Sequence, residues 1–233
     1  MAGKRQAEKL ARRRPPRFDL IAGNVCLDFV NTLDDRYTKP KELLETYGDL
    51  ARFAEDAGLL DSRRVDQLCE RSEAEPERAH EALLWARELR EAIHDIFFAI
   101  VRKRPVPAPA LGRLNADAQN AAGHLSLVPS ARGAAKDGFE WAFDDLRDFD
   151  SVLWPIARAA GELLASDQLP YVRNCFSKSC EWFFLDTSKN HHRRWCDMTR
   201  CGNRAKVQRF YRRQKNSAST TLRLRSEPAS GSK

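Results

Sequence analysis

From Phe18 onward, apolar residues recur at helical spacing through most of the first 170 positions, with polar residues on the opposite arcs. Cys26, Phe29, Val30 and Leu33 share one face and predict a helix over 24–34. Val25, Leu27 and Phe29 also alternate, so a strand competes for the same stretch. Pro40 is placed to open the next helix, with Leu43, Leu44, Tyr47 and Leu50 on its face and a break at Gly48. Asp49 then reads as the N-cap of a helix that Gly58 ends, and Asp61 as the N-cap of a short one containing Val65, Leu68 and Cys69. The broadest apolar face, from Leu83 to Ile100, predicts the longest helix over 76–101. The proline-rich run after Arg104 is a stiff turn, and a helix follows over 108–121. Between 123 and 146 the period changes. Leu125, Leu127 and Pro129, then Phe139, Trp141 and Phe143, alternate around Gly133 and Gly138, which predicts a β-hairpin. An Ala/Leu-rich helix is expected over 147–166, and Leu169-Pro170 marks a boundary.

Length and charge refine this picture. The chain of 233 residues accommodates one large domain and a small appendage. No apolar run reaches the ~20 residues of a membrane span. The basic start Met1-Ala-Gly-Lys-Arg-Gln lacks the apolar stretch of a secretory signal, so a cytoplasmic setting with reduced thiols is expected. Cys26 and Cys69 then read as small core side chains. The net charge of +7 is unevenly spread. Residues 1–17 carry seven Lys/Arg and one Glu; residues 18–170 carry 18 Lys/Arg against 28 Asp/Glu; residues 171–215 carry 12 against three. An acidic body with basic ends points to polyanion contact at the ends, with solvated surface charge as the plainer reading of the N-terminal arm. The arm 1–17 and the Ser/Thr/Arg-rich tail 216–233 are expected to be disordered.

The most specific chemistry lies in the basic segment. Cys175-x4-Cys180 and Cys196-x4-Cys201 are separated by fifteen residues. Paired thiolates at this spacing suit one tetrahedral, structural Zn²⁺. Between the pairs, an aromatic strand, a Ser-Lys-Asn turn and a return strand would form a hairpin that brings Cys196 back beside Cys180. Four thiolates leave no open coordination position, so a structural rather than a catalytic zinc is expected. His191 and His192 are the rival ligands, and disulfide pairing is the rival chemistry. After Gly202 a basic helix follows. Val207, Phe210 and Tyr211 share one face and are expected to pack on the hairpin. Lys206, Arg209, Arg212 and Arg213 share the opposite arc, with no acid between 198 and 226. Like charges so placed destabilise a helix unless an anion relieves them, which favours nucleic-acid contact over a merely solvated face.

The run ending in Cys201-Gly202-Asn203-Arg204 resembles the CGNR zinc finger. Upstream, Leu27-Asp28-Phe29-Val30-Asn31-Thr32-Leu33 and Trp85-Ala86-Arg87-Glu88-Leu89-Arg90-Glu91-Ala92-Ile93 resemble the ABATE domain. The resemblance implies a bacterial, stress-induced transcription regulator. It assigns Arg204 to phosphate contact, and Asn203 to capping the helix or bonding a zinc thiolate. The expected organisation is a disordered arm at 1–17, an α-rich domain at 18–168, a finger at 171–215 and a disordered tail at 216–233. The expected fold class is α+β, mainly α, with a treble-clef-like order of knuckle, hairpin and helix in the finger.

In the acidic body, Asp28, Asn31 and Arg36 could meet Arg87 and Arg90 of the long helix in a polar pocket for a small-molecule effector. Helix caps and surface ion pairs are the plainer reading. No phosphate loop, nucleophile elbow or His-centred acid–base group is present in the sequence, so no enzyme is expected. With the regulator role that the resemblance implies, two functions stay open. One is a zinc-dependent DNA-binding regulator whose larger domain senses a ligand or partner. The other is an RNA- or protein-binding zinc module on a non-catalytic scaffold.

Overall fold

The computed structural model describes residues 18–130, 138–143 and 148–211. The arm 1–17, the tail 216–233, Gly133, Arg212 and Arg213 lie outside the described residues. The fold is α+β and mainly α: seven helices in chain order among the described residues, with three small antiparallel strand pairs.

Helix α1 (Val25–Val30) is shorter than its pattern allows. Asn24 caps it by accepting from Cys26 N at 3.0 Å, and Thr32 turns its hydroxyl back to the Phe29 carbonyl. The chain then pairs Leu33–Asp34 (β1) with Lys41–Glu42 (β2). The helix expected from Pro40 is therefore absent, because the turn between β1 and β2 is closed by Thr38 and Lys39 bonding to the Asp35 carbonyl. Helix α2 (Tyr47–Asp56) starts earlier than Asp49 predicted. Thr46 is the N-cap and Asp49 is its third helical residue. The Thr46 hydroxyl accepts from Asp49 N at 3.2 Å, and the Asp49 carboxylate accepts from Thr46 N at 2.8 Å, a reciprocal capping box. Gly58, at φ +70°, takes the left-handed conformation that ends α2.

Helix α3 (Ser62–Ala74) begins at Asp61 as expected. Helix α4 (Pro76–Val101) has the predicted bounds, with Pro76 in its first turn. At 26 residues it is about 39 Å long and forms the spine of the core. Helix α5 (Ala108–Gly123) leads into the hairpin β3 (Leu125–Pro129) and β4 (Phe139–Phe143), with Leu127 opposite Trp141. A short 3₁₀ turn, Phe149–Val152, precedes α6 (Leu153–Leu164). Among the described residues no helix is long and apolar enough to cross a membrane.

The C-terminal segment opens with β5 (Val172–Asn174), which pairs with β6 (Phe183–Leu185). The hydrophobic core runs without a break from α1, α2, α4 and α6 into this strand pair. Phe183 and Phe184 are fully buried, and the Phe183 ring lies 6.4 Å from Phe97 of α4 and edge-on to His94. Burial holds the His94 imidazole below its usual range.

Polar contacts fix the same junction. The Asn31 carboxamide donates to the Phe183 carbonyl and accepts from Phe183 N, both at 2.9 Å, so one side chain substitutes for a neighbouring strand. Leu185 N donates to the Ala22 carbonyl at 2.7 Å. The turn that presents Ala22 needs Gly23 at φ +79°, and a Cβ there would sit 3.5 Å from that of Leu185. Asp28 holds the turn by accepting from Ala22 N at 2.9 Å. Burial raises the Asp28 carboxyl to about 6, against the lowering effect of the Ala22 and Ile21 amides. A carboxyl raised on folding binds its proton more tightly in the folded state. Its stabilising contribution is therefore full below about pH 4 and lost as pH rises through 6. Unfolding free energy measured across pH 4–7 should fall by on the order of 1–2 kcal/mol more in the wild type than in Asp28→Asn. Parallel pH profiles for the two proteins would contradict this assignment.

Candidate metal centre

The knuckle Cys175–Cys180 forms the loop of the β5–β6 hairpin. Cys175 N donates to the Trp182 carbonyl at 2.8 Å, and Cys180 N bonds back to the Ser177 carbonyl at 2.9 Å. This corrects the expected pairing. The aromatic strand β6 joins the strand before the knuckle, not a return strand after the Ser-Lys-Asn turn. The return segment is held by single bonds instead. Phe176 N donates to the Arg194 carbonyl, and Arg193 N donates to the Asp186 carboxylate, both at 2.9 Å.

Asp186 organises this turn and was not singled out by the sequence. It is buried and accepts from Ser188 N at 3.1 Å and from the Ser188 hydroxyl at 2.5 Å. Burial works to raise its carboxyl, but the bonds from Ser188 and Arg193 outweigh it and hold it below the usual range. The legible signal was the Asp-x-Ser spacing of a side-chain-closed turn.

The turn returns Cys196 to the knuckle, as expected. The Cys180 and Cys196 sulfurs are 3.5 Å apart, and Cys196 and Cys201 are 3.7 Å apart. All four sulfurs, of Cys175, Cys180, Cys196 and Cys201, lie within 4.8 Å of one another and are buried. A tetrahedron with Zn–S bonds of about 2.3 Å has edges of about 3.8 Å, so the cluster fits this ion. The chemistry of the donors agrees. Four thiols are the donor set that Zn²⁺ takes in structural sites. A dication favours four thiolates. The chain thus carries one structural zinc site.

Of the two histidines, His191 is occupied elsewhere. His191 bonds the Asp186 carbonyl through Nδ1 at 2.8 Å and stacks on Tyr171 at 3.8 Å. His192 is exposed, and neither histidine joins the sulfur cluster.

Cys201 lies in a wide turn, Met198–Gly202, capped by Asp197, whose carboxylate accepts from Thr199 N and Arg200 N. Helix α7 (203–211) follows. Arg204 is exposed; it donates to the Ser179 hydroxyl at 2.7 Å and fastens α7 to the knuckle. Asn203 is exposed at the start of the helix. Lys206 and Arg209 are exposed and have no ion pair among the described residues. Val207, Phe210 and Tyr211 do not pack on the hairpin. They are 53, 57 and 64 % exposed, because α7 projects from the finger with solvent on both faces.

The side chains gathered as a polar pocket each serve a neighbour in the fold. Asp28 and Asn31 hold the junction already described. Arg36 pairs with Glu91. Arg90 is buried and reaches both Glu42 oxygens, at 2.6 and 2.7 Å, fastening α4 to β2. Burial works to raise the Glu42 carboxyl, but Arg90 outweighs it and holds it down. Arg87 donates to the Leu44 carbonyl at 2.6 Å.

Comparison with known families matches residues 23–167 to ABATE, described as "Putative stress-induced transcription regulator". Residues 171–214 match the CGNR zinc finger. No curated protein matches the chain. The first match covers the helical scaffold from Gly23 through α6 and the second covers the sulfur cluster with α7, so the chain belongs to the ABATE family and ends in a CGNR zinc finger.

Proposed function

We propose that this protein is a DNA-binding transcription regulator, in which the zinc-held finger docks on DNA and the helical body senses a ligand or partner. The observation that carries this reading is the setting of Lys206 and Arg209. They are exposed on a helix whose start is fixed by Cys201, Asp197 and the Arg204–Ser179 bond. Arg212 and Arg213 continue the same arc in the sequence. Cations projected from a fixed helix suit phosphate contact, since the backbone that carries them need not be reordered on binding.

The body is suited to a sensing role by its joint with the finger. Besides Asn31, Asp34 accepts from Trp182 Nε1 at 2.8 Å, and Arg200 of the finger pairs with Asp19. A ligand or partner that shifts α1 or β1 would act directly on the mount of α7. In this reading the protein is not an enzyme, because four thiolates complete the zinc coordination and leave no position for substrate.

Binding of labelled DNA measured against salt tests the reading. Removing two phosphate contacts in Lys206→Ala/Arg209→Ala should lower the salt slope by about two and weaken binding to all sequences alike. A zinc-loaded double variant with the wild-type slope would remove α7 from the interface.

A further inference from the structure

The finger leaves aromatic rings in solvent among its cations. Phe210 and Tyr211 of α7 are more than half exposed, with ring centres 5.8 Å apart at 69°, so their faces point in different directions. Phe176 of the knuckle is 66 % exposed. Its ring carries the Arg194 guanidinium at 4.4 Å, and its N–H is bonded to the Arg194 carbonyl, so ring and cation are held together twice. Arg194 also lies 5.1 Å from the Trp195 ring. The Arg204–Ser179 bond ties α7 to the knuckle that carries Phe176. Cations are interleaved with these rings: Arg194 beside Phe176, and Lys206 and Arg209 before Phe210.

Neither contacts with the finger's own core nor a finger-to-finger contact with a second copy accounts for this combination. The core of β5 and β6 is filled by Val172, Phe183, Phe184 and Leu185. A second copy would bring a segment with 12 Lys/Arg and three Asp/Glu against an identical one. A polyanion that also offers flat apolar faces satisfies both features. Duplex DNA supplies the phosphates but keeps its base faces stacked inside.

We propose that the finger takes DNA with unpaired bases, stacking them on Phe176, Phe210 and Tyr211 while Arg194, Lys206 and Arg209 contact phosphates. The inference rests on the reading of the finger as a DNA-binding unit and specifies the form of DNA it selects. Stacking tolerates any base, since each has a π face, so the preference is for strand state over sequence.

The test uses the full zinc-loaded chain and three labelled DNAs of equal length: a single strand, a perfect duplex, and the same duplex with an internal unpaired bubble. Single-stranded and bubbled DNA should bind about tenfold tighter than duplex. Phe176→Ala and Phe210→Ala should each weaken single-strand binding about tenfold while leaving the salt slope and zinc content unchanged. Phe176→Tyr and Phe210→Trp should retain it. Equal binding to strand and duplex, or silent alanine variants that hold their zinc, overturns the inference and leaves the regulator reading standing. Tighter binding to RNA of the same sequence, or equal binding to polyglutamate, overturns it in favour of those partners. No binding to any DNA at low salt removes the regulator reading itself.

Discussion

Removal of the metal will loosen the helical body as well as the finger. The strands β5 and β6 have three residues each, and an isolated two-stranded pair of that size is not stable in water. The thiolate cluster closes their loop and ties it to α7. The same strands supply Val172, Phe183, Phe184 and Leu185 to the core around Phe97 and Leu27. When the sulfurs lose their cation, this wall of the core loses its tether. Protein purified without added metal should contain about one zinc per chain. Chelation, or Cys196→Ser, should lower the midpoint for loss of the helical circular-dichroism signal by on the order of 10 °C, which corresponds to several kcal/mol in a chain of this size. The double variant His191→Ala/His192→Ala should keep its zinc. A helical midpoint that stays put in chelator, while aromatic signals from Trp182 and Trp195 are lost, would show the finger to be an independent unit.

Where side-chain chemistry is local, the sequence was readable. Asp61, Pro76 and the apolar face of α4 act within their own helix, and their bounds follow from spacing alone. The Leu127–Trp141 hairpin followed from alternation, and the sulfur cluster from cysteine spacing, because a tetrahedral ion imposes its own geometry on the chain. Three features depended on partners that spacing does not reveal. Lys41 and Glu42 left a helical pattern because Leu33 and Asp34 offered a strand edge and Arg90 offered Glu42 a buried charge partner. β6 paired upstream, because the short knuckle loop sets Asn174 opposite Phe183. The apolar arc of α7 was read correctly as a pattern, but its burial was not, since the core it was expected to join is already filled. Asn31 shows the limit most clearly. Its partner is 152 residues away, and an asparagine near a helix end has many ordinary uses.

That contact gives the other large expected effect. Asn31→Ala leaves both the N–H and the carbonyl of buried Phe183 without a partner. Each unsatisfied group costs about 1–3 kcal/mol, so the variant should lose about 2–5 kcal/mol, far more than its small change in volume explains. The damage should be directional. Asn31 touches no sulfur, yet freeing β6 from the body frees the strand that ends the knuckle, so zinc should pass to a competing chelator several times faster than from the wild type. Asn31→Asp separates the two halves of the contact. It can still accept from Phe183 N, but at neutral pH it sets a carboxylate oxygen against the Phe183 carbonyl in place of a donor. It should therefore be no more stable than the alanine variant at pH 7 and should recover as acid protonates it. Urea unfolding of the three proteins at pH 7 and pH 5, with chelator-transfer rates measured alongside, checks each step. If Asn31→Ala unfolds at the wild-type midpoint and releases zinc at the wild-type rate, the body does not hold the finger through this side chain.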